Sequence, residues 1–431
     1  MQQAVSSESE IQSPSLQHTF PVWAKIGLLS FGGPAAQIAL MHRIIVDERK
    51  WLNEQQYLNA LSFCMLLPGP EAMQLATYVG WRLNGTIGGL IAGLMFVLPG
   101  AAIVLALSIV YAYLGQVPLI GAIFLGVKAA VLMIVIEALL RVSKRALSLP
   151  EHWVISGLTF IGIFFLTLPY PLIIFLAAVY GFLRGTSDNN NAPPVTTSHF
   201  SLTQTLKTLA LWLAIWWVPL LLLGQVAPGS ILNDIGIFFS KLAVVTFGGA
   251  YAVLAYMGQE VVREFGWLQT GEMIDGLGLA ETTPGPLILV TEFVGFLAAF
   301  RDGGLWLGLA GALVTLWVTF TPCFLWIFVG APYIEWITAQ PRLKGALNGI
   351  TAAVVGVILN LSVWFAVHVF FSEVATKKFG AVSVMVPSLN TLDWRVIVLA
   401  ALCAVLMFRL HWQIWQTLLV ASVAGGVFAL V

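Results

Sequence analysis

After a polar start, the chain alternates long apolar runs with short polar breaks. The runs are continuous and mostly long enough for a helix that crosses a bilayer, which needs about 20 residues. Membrane-spanning strands would instead alternate residue by residue over about ten positions. In the first half the apolar segments are Phe20–Met41, Tyr57–Trp81, Thr86–Leu114, Pro118–Leu140, His152–Leu168 and Tyr170–Leu183. Between the first two lies His42–Gln56, with Arg43, Asp47, Glu48, Arg49, Lys50 and Trp51. That amphipathic stretch predicts an interfacial helix with Trp51 at headgroup level. Gly185–Ser201 is rich in Asn, Pro and Thr and predicts a polar linker. Beyond it come Leu202–Leu223, Asp234–Gln259, Gly271–Phe300, Gly304–Val329, Leu343–Phe371, Thr391–Arg409 and Trp412–Val431.

Two of these segments are interrupted. Pro68-Gly69-Pro70 sits in the middle of Leu61–Trp81, and Pro284-Gly285-Pro286 in the middle of Gly276–Phe296. Proline lacks an N–H and pushes its predecessor out of helical angles, so each triplet breaks a helix. The arms on either side are of similar length, which places both breaks near the bilayer midplane. Broken helices and carboxylates inside a bilayer are costly and usually functional.

The triplets are part of a repeat at a fixed offset (284 − 68 = 216). Lys25 matches Lys241, Phe31-Gly32-Gly33 matches Phe247-Gly248-Gly249, and Trp51 matches Trp267. Gly80 then matches Gly295 and Gly88-Gly89 matches Gly303-Gly304 at 215, while Pro99 matches Pro322, Gly126 matches Gly349 and Glu137 matches Asn360 at 223. Leu202–Leu223 has no counterpart. The division is a cytoplasmic polar tail (1–19), a first unit (20–184), the linker (185–201), an unpaired helix (202–223) and a second unit (234–431). Six spans, one, and six more give about 13, an odd number that inserts the second unit upside down. The predicted fold is an all-α polytopic membrane protein with two inverted-topology repeats, the arrangement of many secondary transporters. The loop bias in Lys and Arg puts the N-terminus in the cytoplasm.

Composition sharpens this picture. Of 431 residues, 59% are hydrophobic and 9% charged, far from the roughly 25% charged of soluble domains. The formal net charge is zero, so nucleic acid is not an expected partner. The three cysteines, Cys64, Cys323 and Cys403, all lie in apolar runs, where packing is the simplest role. No basic n-region precedes a short apolar core at the start, so no signal peptide is expected. The chain has no GxxxxGK[ST] motif, HExxH or CxxC, so neither an enzyme nor a metal or cofactor site is expected.

The candidate chemistry is anion binding. A helix that begins after a break exposes free N–H groups and a partial positive charge, at Glu71, Ala72 and Met73 and at Leu287, Ile288 and Leu289. In an inverted pair both starts meet at midplane. The glycine pairs Gly32-Gly33 and Gly248-Gly249 suit either close helix packing or exposure of backbone N–H groups. Lys128 is the best internal cation; Lys25 and Lys241 can equally snorkel to the interface. Glu71, Glu281 and Glu292 are candidates for proton coupling, because an intramembrane carboxylic acid can carry a proton and donate a hydrogen bond. Kinking for packing alone is the plainer alternative for the triplets.

Phe31-Gly32-Gly33-Pro34, the run Leu67–Gly85 (LPGPEAMQLATYVGWRLNG) and Leu98-Pro99-Gly100 resemble the first half of the long-chain chromate ion transporter family. Thr246–Met257 (TFGGAYAVLAYM) and Met273–Val290 (MIDGLGLAETTPGPLILV) are similar to its second half. The resemblance covers nearly everything after the tail. It implies chromate export across the inner membrane and chromate resistance, with sulfate as the competing dianion. It puts Gly32, Gly33, Pro68, Gly69, Pro70, Glu71, Gln74, Glu281, Pro284, Gly285 and Pro286 on family motif positions; Thr282 and Thr283 complete the ETTPGP run. The second glycine pair ends in Ala250 where the first has Pro34, so the halves need not act alike. Sulfate transport and an anion channel are the alternative functions, and a homodimer is left open.

Overall fold

The computed structural model describes residues 14–115, 117–185, 201–247, 250–380 and 382–428. The first 13 residues of the tail, linker positions 186–200 and the pair Gly248-Gly249 lie outside the described residues. The described chain is almost entirely helical. Five of its helices are long and apolar enough to cross a membrane, and the chain is a polytopic membrane protein.

The first half runs α1 (Leu16–Leu29), α2 (Gly33–His42), α3 (Glu54–Leu66), α4 (Glu71–Leu114), α5 (Pro118–Ala146), α6 (Pro150–Phe164) and α7 (Tyr170–Arg184). After α8 (Leu202–Val226) come α9 (Ile231–Val245), α10 (Ala250–Gln259), α11 (Thr270–Thr282), α12 (Val290–Gly330), α13 (Ile334–Ala339) and α14 (Pro341–Phe370). Strands β1 (Val374–Phe379) and β2 (Val382–Pro387) follow, then α15 (Trp394–Ala404) and α16 (Ile414–Phe428). The element order repeats, down to local detail. Helices α3 and α11 both begin with a capping box, Asn53 with Gln56 and Gln269 with Glu272, and end at a triplet. Helices α2 and α10 each continue into a short π-helix, Arg43–Glu48 and Glu260–Glu264.

Three details differ from the sequence pattern. Phe20–Met41 is two helices parted at Gly32, whose φ of 84° is left-handed and suits glycine. His42–Gln56 is not a separate interfacial helix: a π-turn prolongs α2, and the Trp51 ring folds back to lie 6.2 Å from the Trp23 ring, tilted by 48°. The all-α fold carries one small addition, a hairpin in which β1 and β2 pair antiparallel from Val374↔Pro387 to Phe379↔Val382. Val374, Val382, Val384 and Val386 favour strand, but the segment is short and lies between two long apolar runs.

The largest difference concerns the broken segments. The pattern treats each as one span with a midplane kink. The structure instead folds each back on itself. Arg301 pairs with Glu272 and donates from Nη1 to the Trp267 carbonyl at 2.6 Å. Along a straight helix, residues 272 and 301 would be about 43 Å apart. The first half does the same, with the Phe63 and Tyr78 rings 6.1 Å apart across Pro68-Gly69-Pro70. The triplets are therefore hairpin tips inside the molecule, and these segments do not each add a crossing. Two prolines around a glycine reverse the chain rather than merely bend it.

Helices α4 and α12 are themselves hairpins. Non-helical angles at Asn84-Gly85 and Gly303-Gly304 divide them into arms 71–83 and 86–114, and 290–302 and 305–330. The kinks thus align Gly85 with Gly304, not Gly88-Gly89 with Gly303-Gly304. Glycines let the arms touch: Gly80 lies on Gly88, and Gly295 on Gly311. The two long arms then cross at the centre. Gly89 packs on the Phe328 ring and Gly93 on the Phe324 ring, so one arm descends as the other rises. Helix α8 packs on arm 305–330 and on α9 with one stripe of Trp212, Trp216 and Leu220, at helical i, i+4, i+8 spacing.

The fold-back is directly testable. In a cysteine-free background, cysteines at positions 272 and 301 are expected to be bridged by a short bismaleimide. Failure of bridging, with normal labelling of each cysteine alone, would mean a straight broken span.

Candidate functional site

Proline has no N–H, so the only donor within each triplet is its glycine. Both glycines use it across the halves. Gly69 donates to the carbonyl of Thr246 at 2.7 Å, and Gly285 donates to the carbonyl of Ser30 at 2.9 Å. Those carbonyls end α1 and α9, where the Ser30 and Thr246 hydroxyls each donate to a carbonyl four residues back, at 2.6 Å. Left-handed φ angles of 122° at Gly69 and 93° at Gly285 turn the donors outward from their own hairpins. Gly100 lets the Pro284 carbonyl approach, and Cys323 takes the equivalent place against Gly69.

Two glutamines add an unequal layer. Gln37 donates from Nε2 to Gly285 at 2.7 Å and to Ser30 at 3.2 Å, both carbonyls. Gln74 donates to the Pro68 carbonyl at 2.7 Å. Both side chains are buried, and among the described residues their Oε1 atoms have no partner. The positions 216 residues on are Val253 and Val290, so the second half lacks this layer.

Cavities lie around the tips. A small one of about 10 Å³ is bordered by Pro34, Gln37, Pro70, Glu71, Ala72, Ala250, Pro286, Leu287 and Ile288. Both post-triplet helix starts therefore face one space, the second through a 3-10 turn, Leu287–Leu289. It has room for about one water and none for a tetrahedral oxyanion. A cavity of about 390 Å³ shares Pro34, Glu71 and Ala250 with it and leads out past Arg141, Arg145 and His152. A third, about 760 Å³, holds Gly32, Glu137, Arg141, Glu281, Thr282 and Trp412. Arg141 stands in the wall between the two larger spaces. It pairs with Glu137 one helical turn earlier on α5.

The predicted residues divide accordingly. Gly32, Glu71, Glu281, Thr282, Pro70 and Pro286 line cavities; Pro68, Gly69, Pro284 and Gly285 shape the tips, and Gly33 begins α2. Glu281 accepts from the Tyr251 hydroxyl at 2.7 Å. Thr282 and Thr283 donate to carbonyls three residues back, at 2.8 and 3.1 Å, ending α11. Lys128 is engaged elsewhere, 3.4 Å from Asp275, whose other oxygen accepts from Tyr111 at 2.8 Å. Glu292 is fully buried, neither of its oxygens has a partner, and among the described residues it lines none of these cavities. Gly248 and Gly249 lie outside the described residues.

Arg141 and Arg145 were missed because the apolar run stops at Leu140, which reads as the end of a span. The helix continues to Ala146. Glu137 four residues before Arg141, and Lys144 and Arg145 on the last turn, are the signals that favour that continuation. The packing at the tips yields a stability prediction. Gly100→Val is expected to cost about 1–3 kcal/mol through overpacking against Pro284 and Leu289. Gly121→Ala, where an added methyl meets open space, should change little. Thermal unfolding of the detergent-purified protein compares the two.

Comparison with known proteins places this architecture. The profile of the chromate transporter family matches residues 18–182 and 233–429, which leaves α8 between the two matched parts. A chromate transport protein of Pseudomonas aeruginosa is 32% identical over 82% of this chain and 82% of its own length. A probable chromate transport protein of Synechococcus elongatus is 30% identical over 80% of this chain and 86% of its own. An uncharacterized transporter of Bacillus subtilis is 31% identical over 36% of this chain, yet that covers 88% of its length. No solved structure matches the chain. With the family profile spanning both halves and full-length relatives of this identity, the chain belongs to the chromate transporter family.

Proposed function

We propose that the chain exports chromate across the inner membrane, through a site where the hairpin tips of two oppositely inserted halves meet, and so confers chromate resistance. The names of the relatives supply the substrate. The observation that carries the site is the 390 Å³ cavity, which runs past Arg141 and Arg145 to Glu71 beside both tips. Arginine offers a planar fork of donors suited to an oxyanion. An ionised Glu71 would repel a dianion by about 4 kcal/mol per unit charge at 4 Å and an effective dielectric of 20. Arg145 offsets part of that, with Arg141 shared with Glu137, and protonation of Glu71 would convert repulsion into a donated hydrogen bond.

The inverted arrangement rests on the antiparallel crossing of arms 86–114 and 305–330 and on the crossed Gly69 and Gly285 bonds. In this reading only 86–114, α5, α8, 305–330 and α14 cross fully, fewer than the 13 spans the pattern suggests. Two crossings, one and two more still invert the second half, with α8 as the odd member. Hairpins from the N-terminal face carry Arg43, Arg49, Lys50 and Arg82 to the same side as Arg145, Arg184, Arg342 and Lys344. The opposite face holds Arg263, Arg301, Lys377, Lys378 and Arg395. That imbalance puts the N-terminal face in the cytoplasm, and the arginine-lined cavity then opens inward.

Export agrees with the electrical gradient. An inside-negative potential contributes about 2.3 kcal/mol per charge per 100 mV, so roughly 4.6 kcal/mol favours expelling a dianion. Proton coupling through Glu71, Glu281 or Glu292 is an addition that the gradient does not require. Sulfate, with the same shape and charge, is the competing substrate.

Chromate uptake into everted vesicles tests this. Arg141→Gln and Arg145→Gln are each expected to raise the half-saturating chromate concentration about tenfold or more, the loss of one charge-assisted hydrogen bond. Glu71→Gln should alter the response to an imposed pH gradient; a wild-type flux that ignores the gradient removes protons from the scheme. Unchanged uptake in both arginine variants would place the anion elsewhere.

A further inference from the structure

The cavity wall on α5 has a counterpart on α14, and that counterpart is shut. Ala138, Arg141, Val142 and Arg145 line the open cavity. At the repeat offset of 223 stand Leu361, Trp364, Phe365 and His368. Of these, Leu361, Trp364 and Phe365 are 1%, 3% and 0% exposed. The Trp364 ring fills the space beside Gly258 of α10 and lies 4.8 Å from the His368 ring. The His368 ring is held through Nδ1, 2.8 Å from the Trp364 carbonyl. Among the described residues, Trp364 Nε1 is buried with no partner. A buried indole N–H left unpaired costs free energy in this conformation, so it is a donor awaiting an acceptor. On the same side, Asn360 and Arg263 line a small polar cavity with Gln259 and Ser383 of the β-hairpin.

We infer that this face of α14 is the closed exit route for the anion, with the Trp364 indole as its plug and as a hydrogen-bond donor to the passing oxyanion. The inference rests on the transport reading above. Inverted halves that exchange conformations must open the equivalent wall on the other side. Indole N–H is donor-only, and a fully ionised oxyanion is acceptor-only, so the two match. The walls also differ in charge. Two fixed arginines line the open side, whereas an indole and an imidazole replace them on the closed side. A dianion is therefore held where it enters and weakly held where it leaves, with Arg263 as the next cation outward. That asymmetry favours outward release.

The test uses full-length protein with Cys64, Cys323 and Cys403 replaced and His368→Cys as the single thiol. A membrane-impermeant thiol reagent is added to intact cells, from the face that carries β1 and β2. Labelling is expected from that face, and several-fold faster when Trp364→Ala is added. Labelling only from the N-terminal face, or a rate indifferent to Trp364→Ala, overturns the exit route. Trp364→Phe keeps the ring and removes the N–H; it should fold to wild-type yield with several-fold lower chromate flux. Wild-type flux in that variant overturns the donor role. Labelling is read without chromate, so its outcome is separate from whether chromate is the anion carried.

Discussion

Inside hydrocarbon, every backbone polar group needs a partner within the protein. Among the described residues, several segments stop being helical in the interior, and each stop frees carbonyls and N–H groups. The structure resolves this by exchange. The donor of each triplet goes to the last carbonyl of the other half's first helix, Gly69 to Thr246 and Gly285 to Ser30. Neither half can satisfy its own tip in this geometry. The hairpins are thus complete only as a pair, and the small cavity between the helix starts is bounded by both.

The same exchange helps to fix the tips in place. Each tip is fixed by its proline angles, by the crossed bond and by close backbone approach at Gly100 or beside Cys323. The polar atoms left over, Oε1 of Gln37 and Gln74, sit among fixed neighbours. They form an unequal inner layer, because valines occupy the matching positions. An anion site built on these tips would therefore have two unlike sides, in accord with the replacement of Arg141 and Arg145 by Trp364 and His368 along the walls.

Much of this was legible in the residues. The triplets, the glycine pairs and the repeat offset all come from one-dimensional matches, and Glu71 and Glu281 follow from lying beside the breaks. Chain reversal was not legible, because Pro-Gly-Pro is compatible with both a kink and a hairpin; Arg301 meeting Glu272 decides it. Lys128 and Arg141 show what hydropathy leaves out. Hydropathy rewards a lysine inside an apolar run, but cannot show that Asp275 neutralises it across two helices. Arg141 lies one residue past an apolar run, and only the uninterrupted helix to Ala146 carries it into the wall. The β-hairpin was missed for a simpler reason: six-residue strands are faint beside a 30-residue helix.

Helix α8 touches its neighbours through a single stripe and has no twin. In the inverted reading its consequence is evolutionary. A half-length ancestor would have had to insert in both orientations and pair with itself, so any change to one wall would have altered both. One added crossing makes the opposite orientation covalent. From then on entry and exit could mutate separately, and a symmetric pore could become a one-way valve.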